Sequence, residues 1–232
     1  LHVAKKPPFK GKFEWAIDYY KSMAKKLNIT MKLGKEVTAQ EVLALKPYSI
    51  LVATGSNVIS IPLEGLDQVQ TVQAHDVLAN DMQFANKKVV VIGGGITGLE
   101  TALYINRQGT NQVSVVDMLP EWPVDMLDMR YQNEALLEVR HCNDQGVALF
   151  YNNKVVKFAD GKLFIESTKD GEVKELPADV IVLSVGVKPN DALWQELLAS
   201  GHPSVWKAGD AIATGKINKA VLHGSKFGYS LN

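Results

Sequence analysis

The sequence predicts an α/β protein with a three-layer, Rossmann-like fold, in which a parallel sheet is accompanied by an antiparallel β-meander. Three observations support this fold class. Residues 89–92, Val-Val-Val-Ile, form an apolar strand pattern that runs directly into a Gly-x-Gly-x-x-Gly turn and then a helical pattern. Two Asp-Gly pairs, at 160–161 and 170–171, separate strand-like segments. The continuous apolar run at 180–183 is typical of an interior parallel strand.

Before the glycine-rich turn, apolar spacing and helix-boundary residues predict alternating helices and strands. Apolar residues recur on one face of a helix from Phe13 to Leu27, with lysines opposite. Thr38 is a favourable N-cap, and Pro47 stops the helix that follows it. The predicted elements are helices at 13–27, 38–45 and 74–79 and strands at 29–33, 48–53 and 69–72.

After that turn, the period changes from helical to alternating. The predicted elements are a strand at 112–117, a long helix at 126–145, strands at 147–151, 154–158, 162–167 and 173–176, and a buried strand at 178–185. Both residues of an Asp-Gly pair tolerate positive φ, so each pair predicts a tight two-residue hairpin turn. Two such turns in series predict a three-stranded meander.

The glycine-rich turn predicts a dinucleotide site. Gly93 permits a tight turn out of the strand, Gly95 lets the backbone approach a pyrophosphate, and Gly98 lets the helix pack close to the sheet. The helix that begins at Ile96 and Thr97 directs free amides and the positive end of its dipole at phosphate charge. The alternative is a glycine-rich turn in an unrelated α/β protein.

Asp117 adds context, because it ends the next predicted strand, 19 residues past Gly98. A carboxylate at that place accepts hydrogen bonds from both ribose hydroxyls of an adenosine. It would also repel a ribose 2′-phosphate, and the following Met118-Leu119-Pro120 offers no basic side chain to neutralise one. The residues therefore predict NAD(H) rather than NADP(H).

Composition excludes several other classes. The 232 residues suit one large or two small domains, and 25 basic and 25 acidic side chains balance, so nothing draws nucleic acid or a membrane surface. No apolar run is long enough to span a bilayer. Cys142 is the single cysteine, which fits a reducing, cytoplasmic location, and the pair His141-Cys142 lacks further ligands for a metal. The chain opens at Leu1 without methionine, which we interpret as an internal piece of a longer protein.

Four segments together resemble the pyridine nucleotide-disulfide oxidoreductase superfamily. Within it, the similarity is greater to the C-terminal reductase portion of the 2,4-dienoyl-CoA reductase and NADH:flavin oxidoreductase (old yellow enzyme-like) group. The order of the segments matches that group, and the match covers nearly the whole chain. The four are Leu-Val-Ala-Thr-Gly at 51–55, the glycine loop at 89–100, Gly-Val-Lys-Pro-Asn at 186–190 and Val-Trp-Lys-Ala-Gly-Asp-Ala at 205–211.

The resemblance implies an FAD/NAD(P)-binding fold and further site residues. It implies that Thr54, Gly55, Gly209 and Asp210 hold FAD, and that Glu100 and Gly186 lie near the nicotinamide. From the residues alone, Asp210 is also explained as a turn aspartate that caps the next helix, and Glu100 as a first-turn glutamate stabilised by the helix dipole.

Departures from the family shape the predicted domains. This chain has one glycine loop of the Gly-x-Gly-x-x-Gly type and no paired cysteines, which excludes a dithiol relay within it. The FMN-bearing barrel and iron–sulfur cysteines that the dienoyl-CoA reductase group carries upstream are also outside this sequence. We predict that residues 86–187 form an NAD(H)-binding domain and that residues 1–85 and 188–232 form a partial, N-terminally truncated FAD-binding domain.

The functional expectation is a fragment of an NADH-dependent flavoprotein oxidoreductase that passes hydride from NADH to FAD and onward to centres outside the chain. Its expected partners are NADH and the rest of the parent polypeptide, with a homo-oligomer left open. No catalytic side chain and no metal ligand are predicted, because the cofactors carry the chemistry. The alternative is a non-catalytic module that binds ADP or NAD structurally. A short-chain dehydrogenase is discounted, since no tyrosine precedes a lysine by four residues after the nucleotide strands.

Overall fold

A computed structural model describes residues 1–120 and 129–231 of the chain. The helices among these residues are α1 (Phe13–Lys26), α2 (Ala39–Ala44), α3 (Ala74–Ala79), α4 (Ile96–Asn106), α5 (Met129–Asp144), α6 (Ala192–Ala199) and α7 (Ile217–Tyr229). The strands are β1 (Ile50–Val52), β2 (Ser56–Val58), β3 (Gln70–Gln73), β4 (Lys88–Ile92), β5 (Gln112–Val116), β6 (Ala148–Phe150), β7 (Asn153–Ala159), β8 (Lys162–Ser167), β9 (Val173–Pro177), β10 (Val180–Leu183), β11 (Val187–Pro189) and β12 (Val205–Lys207).

The chain divides into two compact units. The first unit contains residues 1–29 and 60–185, and the second contains residues 30–59 and 186–232. These limits differ from the predicted domain limits at 86 and 187. The reason for the first difference is that β3, which precedes residue 86, pairs in parallel with β10 and so belongs to the sheet of the first unit.

The first unit is built on a five-stranded parallel sheet in the order β3-β10-β4-β5-β6. Side chains alternate across it: Val89 and Val91 of β4 belong to one buried cluster, and Val90 and Ile92 belong to another. Both faces of this strand are therefore covered, which explains its unbroken apolar sequence. The predicted interior parallel strand at 180–183 is confirmed as β10, all of whose residues are buried.

The predicted meander is also present, as the antiparallel sheet β7-β8-β9. Asp160 and Gly161 both have positive φ, 52° and 73°, and close the two-residue hairpin between β7 and β8 as expected. The prediction of a second two-residue turn, at 170–171, is wrong. Residues 168–172 form a longer connection, because the Asp170 and Ser167 side chains accept hydrogen bonds from loop amides and only Gly171 takes a positive φ, 78°.

The second unit contains two small sheets. Strands β1 and β12 pair in parallel, and β2 and β11 pair antiparallel. Helix α2 begins as predicted, because Thr38 and Glu41 form a reciprocal capping box: the Thr38 hydroxyl accepts from the Glu41 amide at 3.2 Å, and the Thr38 amide donates to the Glu41 carboxylate at 3.0 Å.

Two other predicted elements differ from the observed ones or extend beyond the described residues. The strand expected at 29–33 does not form, because these residues are exposed and pair with no strand among the described residues. The long helix is seen from Met129, and its predicted start at 126 lies outside the described residues. Within the described part of the chain, no helix combines the length and the apolarity needed to cross a membrane.

Candidate functional site

The glycine-rich turn lies between β4 and α4 in the first unit. Gly93 has φ 111°, and a Cβ there would lie 2.3 Å from the Ser184 carbonyl oxygen. A Cβ on Gly98 would lie 1.8 Å from the Gly93 carbonyl oxygen. These two positions therefore need glycine for the reasons the sequence indicates, namely a left-handed turn and close packing of the helix start.

Gly95 is different, because the protein itself does not require a glycine there. Its φ of −69° and ψ of 173° suit any residue, and a Cβ would meet nothing within 4 Å. Gly95 is the N-cap of α4 and has no side chain to satisfy the first helical amides, which include those of Ile96 and Thr97. The helix start is thus left open toward solvent.

A cavity of about 560 Å³ adjoins this turn, within the first unit. Gly93, Gly95 and Asp117 line it together, so the structure brings three of the predicted site residues to one place. Its other lining residues, none of which was among the predicted cofactor-binding residues, are Ile61, Ile92, Val116, Met118, Leu119, Asn153, Lys154, Val155, Ser184 and Val185. Apolar walls with a few polar groups are typical of a small-molecule site.

The Asp117 carboxylate is already part of a hydrogen-bond network. Its Oδ2 accepts from the Gly94 amide at 2.6 Å, and its Oδ1 accepts from the Leu119 amide at 2.8 Å. These bonds connect the end of β5 to the glycine turn and fix the orientation of the carboxylate. A carboxylate offers about four lone-pair sites, so each oxygen keeps capacity for a ligand hydroxyl.

Asn153 presents an acceptor without a partner beside the same cavity. Its Nδ2 donates to the Tyr151 carbonyl oxygen at 2.7 Å, and its backbone amide donates to the Asp117 carbonyl oxygen at 2.9 Å. The side chain is buried, and its Oδ1 has no hydrogen-bond partner. An unmet buried acceptor is costly, and this one is enclosed by protein although the residue lines the cavity. In the sequence, the pair Asn152-Asn153 could have indicated a turn at this place. Asn152 does take a positive φ, 58°, at the turn before β7.

Glu100 is not in the first turn of α4, so the helix-dipole explanation for it is wrong. It is the fifth residue of the helix, it is buried, and it forms an ion pair with Lys10, which also pairs with Glu134 at 2.8 Å. Burial raises the pKa of the Glu100 carboxyl; the Lys10 ammonium lowers it, and the nearby Glu138 adds to the rise. Burial lowers the pKa of Lys10, but its bonds to Glu100 and Glu134 raise it above its usual value.

In the second unit, hydrogen bonds join the two family-like segments at 51–55 and 186–190. The Thr54 hydroxyl donates to the Asn190 carbonyl oxygen, and the Asn190 amide donates to the Gly55 carbonyl oxygen at 3.0 Å. Gly55 and Gly186 have φ of 74° and 102°, and the Ile59 amide donates to the Gly186 carbonyl oxygen at 3.0 Å. The pairing of β2 with β11 holds these turns side by side.

Gly209 and Asp210 lie just beyond the carboxyl end of β12, beside the end of β1. The Ala208 amide donates to the Val52 carbonyl oxygen at 2.9 Å, which continues the parallel pairing up to this turn. Asp210 Oδ1 accepts from the Gly215 amide at 3.0 Å. The capping explanation for Asp210 is therefore wrong, because α7 begins after Lys216 and has no side-chain cap.

Two histidines, His202 and His223, and the cysteine have structural surroundings. His202 contacts the Pro47 carbonyl oxygen at 3.0 Å, and His223 Nδ1 accepts from the Gly209 amide at 3.2 Å. Cys142 is fully buried, and burial raises the pKa of its thiol to about 12. Among the residues that the structure describes, no group of three or more His, Cys, Asp or Glu side chains is arranged to hold a metal ion.

Comparisons with known proteins agree with this architecture. Residues 12–223 match the family model described as pyridine nucleotide-disulphide oxidoreductase. The chain is 33% identical over 190 residues to a bilirubin reductase of Mediterraneibacter gnavus, covering 82% of this chain and 28% of that protein. It is 29% identical over 239 residues to an NADH oxidase of Thermoanaerobacter brockii, covering all of this chain and 35% of the relative.

Among solved structures, a 2-naphthoyl-CoA reductase in complex with 2-naphthoyl-CoA superposes with a TM-score of 0.86 at 26% identity. The superposition covers 98% of this chain and 33% of that one. The chain thus spans about a third of the length of each of these three proteins.

Proposed function

Since this chain belongs to the pyridine nucleotide-disulphide oxidoreductase family, we propose that its first unit binds NADH and that its second unit forms part of the FAD site of a larger flavoprotein oxidoreductase. The family implies the use of FAD and of a nicotinamide dinucleotide. Different residues of this chain serve the two cofactors.

Gly95 carries the proposal for the first unit. Neither its backbone conformation nor its surroundings require glycine, yet it caps the helix at the edge of the cavity and leaves open space where a Cβ would lie. The missing Cβ lets a pyrophosphate approach the amides at the start of α4, where the helix dipole favours negative charge. Asp117, held in place by the Gly94 and Leu119 amides, then faces the ribose hydroxyls.

The remaining cavity residues fit an adenosine. Met118 and Val155 supply apolar surface for the base.

The turns of the second unit fit a flavin dinucleotide. Gly55 takes a left-handed conformation and a Cβ there would meet nothing within 4 Å, which leaves room for a ligand beside the backbone. Asp210 keeps its second oxygen for a sugar-like hydroxyl while the first holds the Gly215 amide. The chemistry that the two cofactors supply is hydride transfer from reduced nicotinamide to flavin, and these residues bind and orient them.

The more specific part of the proposal concerns the parent protein. Similarity to the dienoyl-CoA reductase group supports a parent that passes electrons through an iron–sulfur cluster and FMN to an enoate or enoyl thioester. One relative is named bilirubin reductase, and one similar structure is a 2-naphthoyl-CoA reductase, which supports a parent that reduces an organic substrate. We propose that these centres lie outside the present chain.

One observation favours a second candidate, a module that binds ADP or NAD without redox chemistry. The cavity residues are suited to bind the adenosine and the diphosphate. Glu100, which is expected near the nicotinamide, instead forms an ion pair with Lys10. A direct comparison of ADP with NADH separates the two candidates, because a redox role requires that the nicotinamide half contribute to binding.

The test is a calorimetric titration of the chain with NADH and ADP, using Gly95→Ala and a matched Gly11→Ala control. Both glycines have open space at the Cβ position and neither has a positive φ, but only Gly95 lines the cavity. We expect Gly95→Ala to weaken NADH binding roughly tenfold to a hundredfold, about 1.4 kcal/mol per tenfold, with an unchanged melting temperature. Gly11→Ala should bind NADH as tightly as the unsubstituted chain does.

Equal effects of the two substitutions would contradict the pyrophosphate site, and equal affinity for ADP and NADH would favour the non-redox module. For the second unit, the chain is mixed with FAD and desalted, and the visible flavin absorbance is recorded. We expect retained absorbance that bleaches with NADH and is lost in Asp210→Ala. Retention that is insensitive to Asp210→Ala would contradict the assignment of that carboxylate.

A further inference from the structure

The cavity of the first unit contains a basic residue that the sequence did not place beside Asp117. Lys154, from β7, lines the same cavity as Asp117, although the residues directly after Asp117, Met118-Leu119-Pro120, include no Lys or Arg. By itself, an ammonium near the adenosine ribose would offset the Asp117 charge and accommodate a 2′-phosphate. The sequence-based argument for NAD(H) over NADP(H) is therefore incomplete.

Glu166 changes this balance. It lies directly opposite Lys154 in the β7–β8 ladder, and its Oε1 is 2.9 Å from Lys154 Nζ. Glu166 does not line the cavity, so it acts on the site only through the lysine. With Asp117 and Glu166 each contributing a negative charge and Lys154 one positive charge, the group as a whole keeps a charge of about −1.

We propose that Glu166, through its ion pair with Lys154, sets the preference of this cavity for NADH over NADPH. Glu166 is thus a positioning residue: it draws the ammonium onto the neighbouring strand and away from a ribose phosphate. The inference rests on the proposed function, because it assumes that the cavity takes the adenosine end of a dinucleotide. Lysine has a long flexible stem, so release from Glu166 lets its charge turn toward the ligand.

Removal of Glu166 should leave the fold intact. About half of the Lys154 side chain and a third of the Glu166 side chain are exposed, and an ion pair of this kind contributes little to folding stability. A change in dinucleotide preference can therefore be measured without loss of structure.

The meander also offers a matched control. Lys162 and Glu175 form a second Lys–Glu pair at 2.6 Å between β8 and β9, and neither residue lines the cavity. Glu175→Gln thus removes the same kind of charge from the same sheet, away from the site.

The experiment measures Kd for NADH and NADPH by calorimetry in four proteins: the unsubstituted chain (the parent chain below), Glu166→Gln, Glu175→Gln and the double variant Lys154→Met/Glu166→Gln. We expect the parent to bind NADH more tightly. In Glu166→Gln, the NADH-to-NADPH affinity ratio should fall about tenfold, the size expected for one released charge near a phosphate. The gained NADPH affinity should weaken as salt is added, since it rests on a partly exposed ion pair.

In Glu175→Gln the ratio should stay unchanged, and the double variant should lose the NADPH affinity that Glu166→Gln gained. An unchanged ratio in Glu166→Gln, or the same change in both single variants, would overturn the inference while leaving NADH binding established. A parent chain that prefers NADPH would overturn it too. A parent chain that binds neither dinucleotide would instead overturn the proposed function, and this inference with it.

Discussion

The two units of this chain differ in the extent of their strand pairing and of their buried cores. In the first unit, β4 and β10 each have a neighbour on both sides, and their side chains alternate between two buried clusters. In the second unit, the strands pair only two at a time, and the buried cluster consists of Ile50, Val52 and Leu197 among the described residues. Three or more strands with a covered face are usually needed for independent stability.

This difference bears on the two proposed sites. The glycine turn and Asp117 follow interior strands of the large sheet, whereas Thr54 and Asp210 follow the two strands of a small one. Regions with few buried contacts open at lower free energy than the global unfolding transition. We therefore expect the dinucleotide site of the first unit to stay formed under conditions that open the flavin-site turns of the second.

Two leucine truncations give the largest expected effect. Leu103 in α4 and Leu197 in α6 are both fully buried, one in each unit. Replacing either with alanine removes the same atoms and should cost about 2–5 kcal/mol. We expect Leu197→Ala to speed amide exchange in α6, β1 and β12 while leaving β4 and β10 protected, and Leu103→Ala to speed exchange in β4 and β10.

Hydrogen exchange with mass spectrometry checks this comparison. If Leu197→Ala deprotected β4 and β10 as much as Leu103→Ala does, the two units would unfold together and the difference between them would not hold. Leu198→Ala serves as a control, since the neighbouring Leu198 is about half exposed and should have little effect.

Cys142 provides an independent reporter for the first unit. Its thiol is fully buried, and burial raises its pKa from 9.0 to about 12. A raised folded pKa contributes stability that is present below pH 9 and is lost as pH rises toward 12. We expect the thiol of the parent chain and of Leu197→Ala to react equally slowly with a disulfide reagent at pH 8, and that of Leu103→Ala to react at least about tenfold faster.

The pH dependence has its own readout. The urea stability of the parent chain should fall between pH 9 and 12 more than that of Cys142→Ala, which lacks the thiol. Rapid labelling of the folded, unsubstituted chain at pH 8 would show that the thiol is accessible and would contradict the burial of Cys142 in the same cluster as Leu99 and Leu103 of α4.

The smallest expected effect comes from the helix starts, which contrast between the units. In the second unit, α2 is closed by the Thr38–Glu41 capping box, whereas in the first unit α4 starts at Gly95 without a side-chain cap. We expect Thr38→Ala to lower the stability of α2 by about 1 kcal/mol, which is detected as faster amide exchange in α2. Thr38→Ser should retain most of that stability. Loss of NADH affinity in Thr38→Ala would contradict the independence of the two helix starts.

Much of the fold was predictable because its determinants are local. The apolar runs of β4 and β10, the turn at Asp160-Gly161 and the cap at Thr38 each depend on residues close together in the chain. The prediction failed at 29–33, where alternation without a partner strand leaves the residues exposed, and at Asp170, where side chains bonded to loop amides extend the turn. Both failures concern contacts that residue type alone does not specify.

The sequence by itself determined the family, the α/β fold class and the glycine turn with Asp117, since strand period, glycine spacing and a strand-end carboxylate are properties of short segments. The tertiary structure alone decided that Lys154 and Asn153 share a cavity with Asp117. It also decided that Glu166 forms an ion pair with Lys154, and that Glu100 forms one with Lys10. These pairings join separate strands and helices, and their geometry depends on strand order and register. The physical reason is that charge and hydrogen bonding act through space, so their partners are chosen only when the chain has folded.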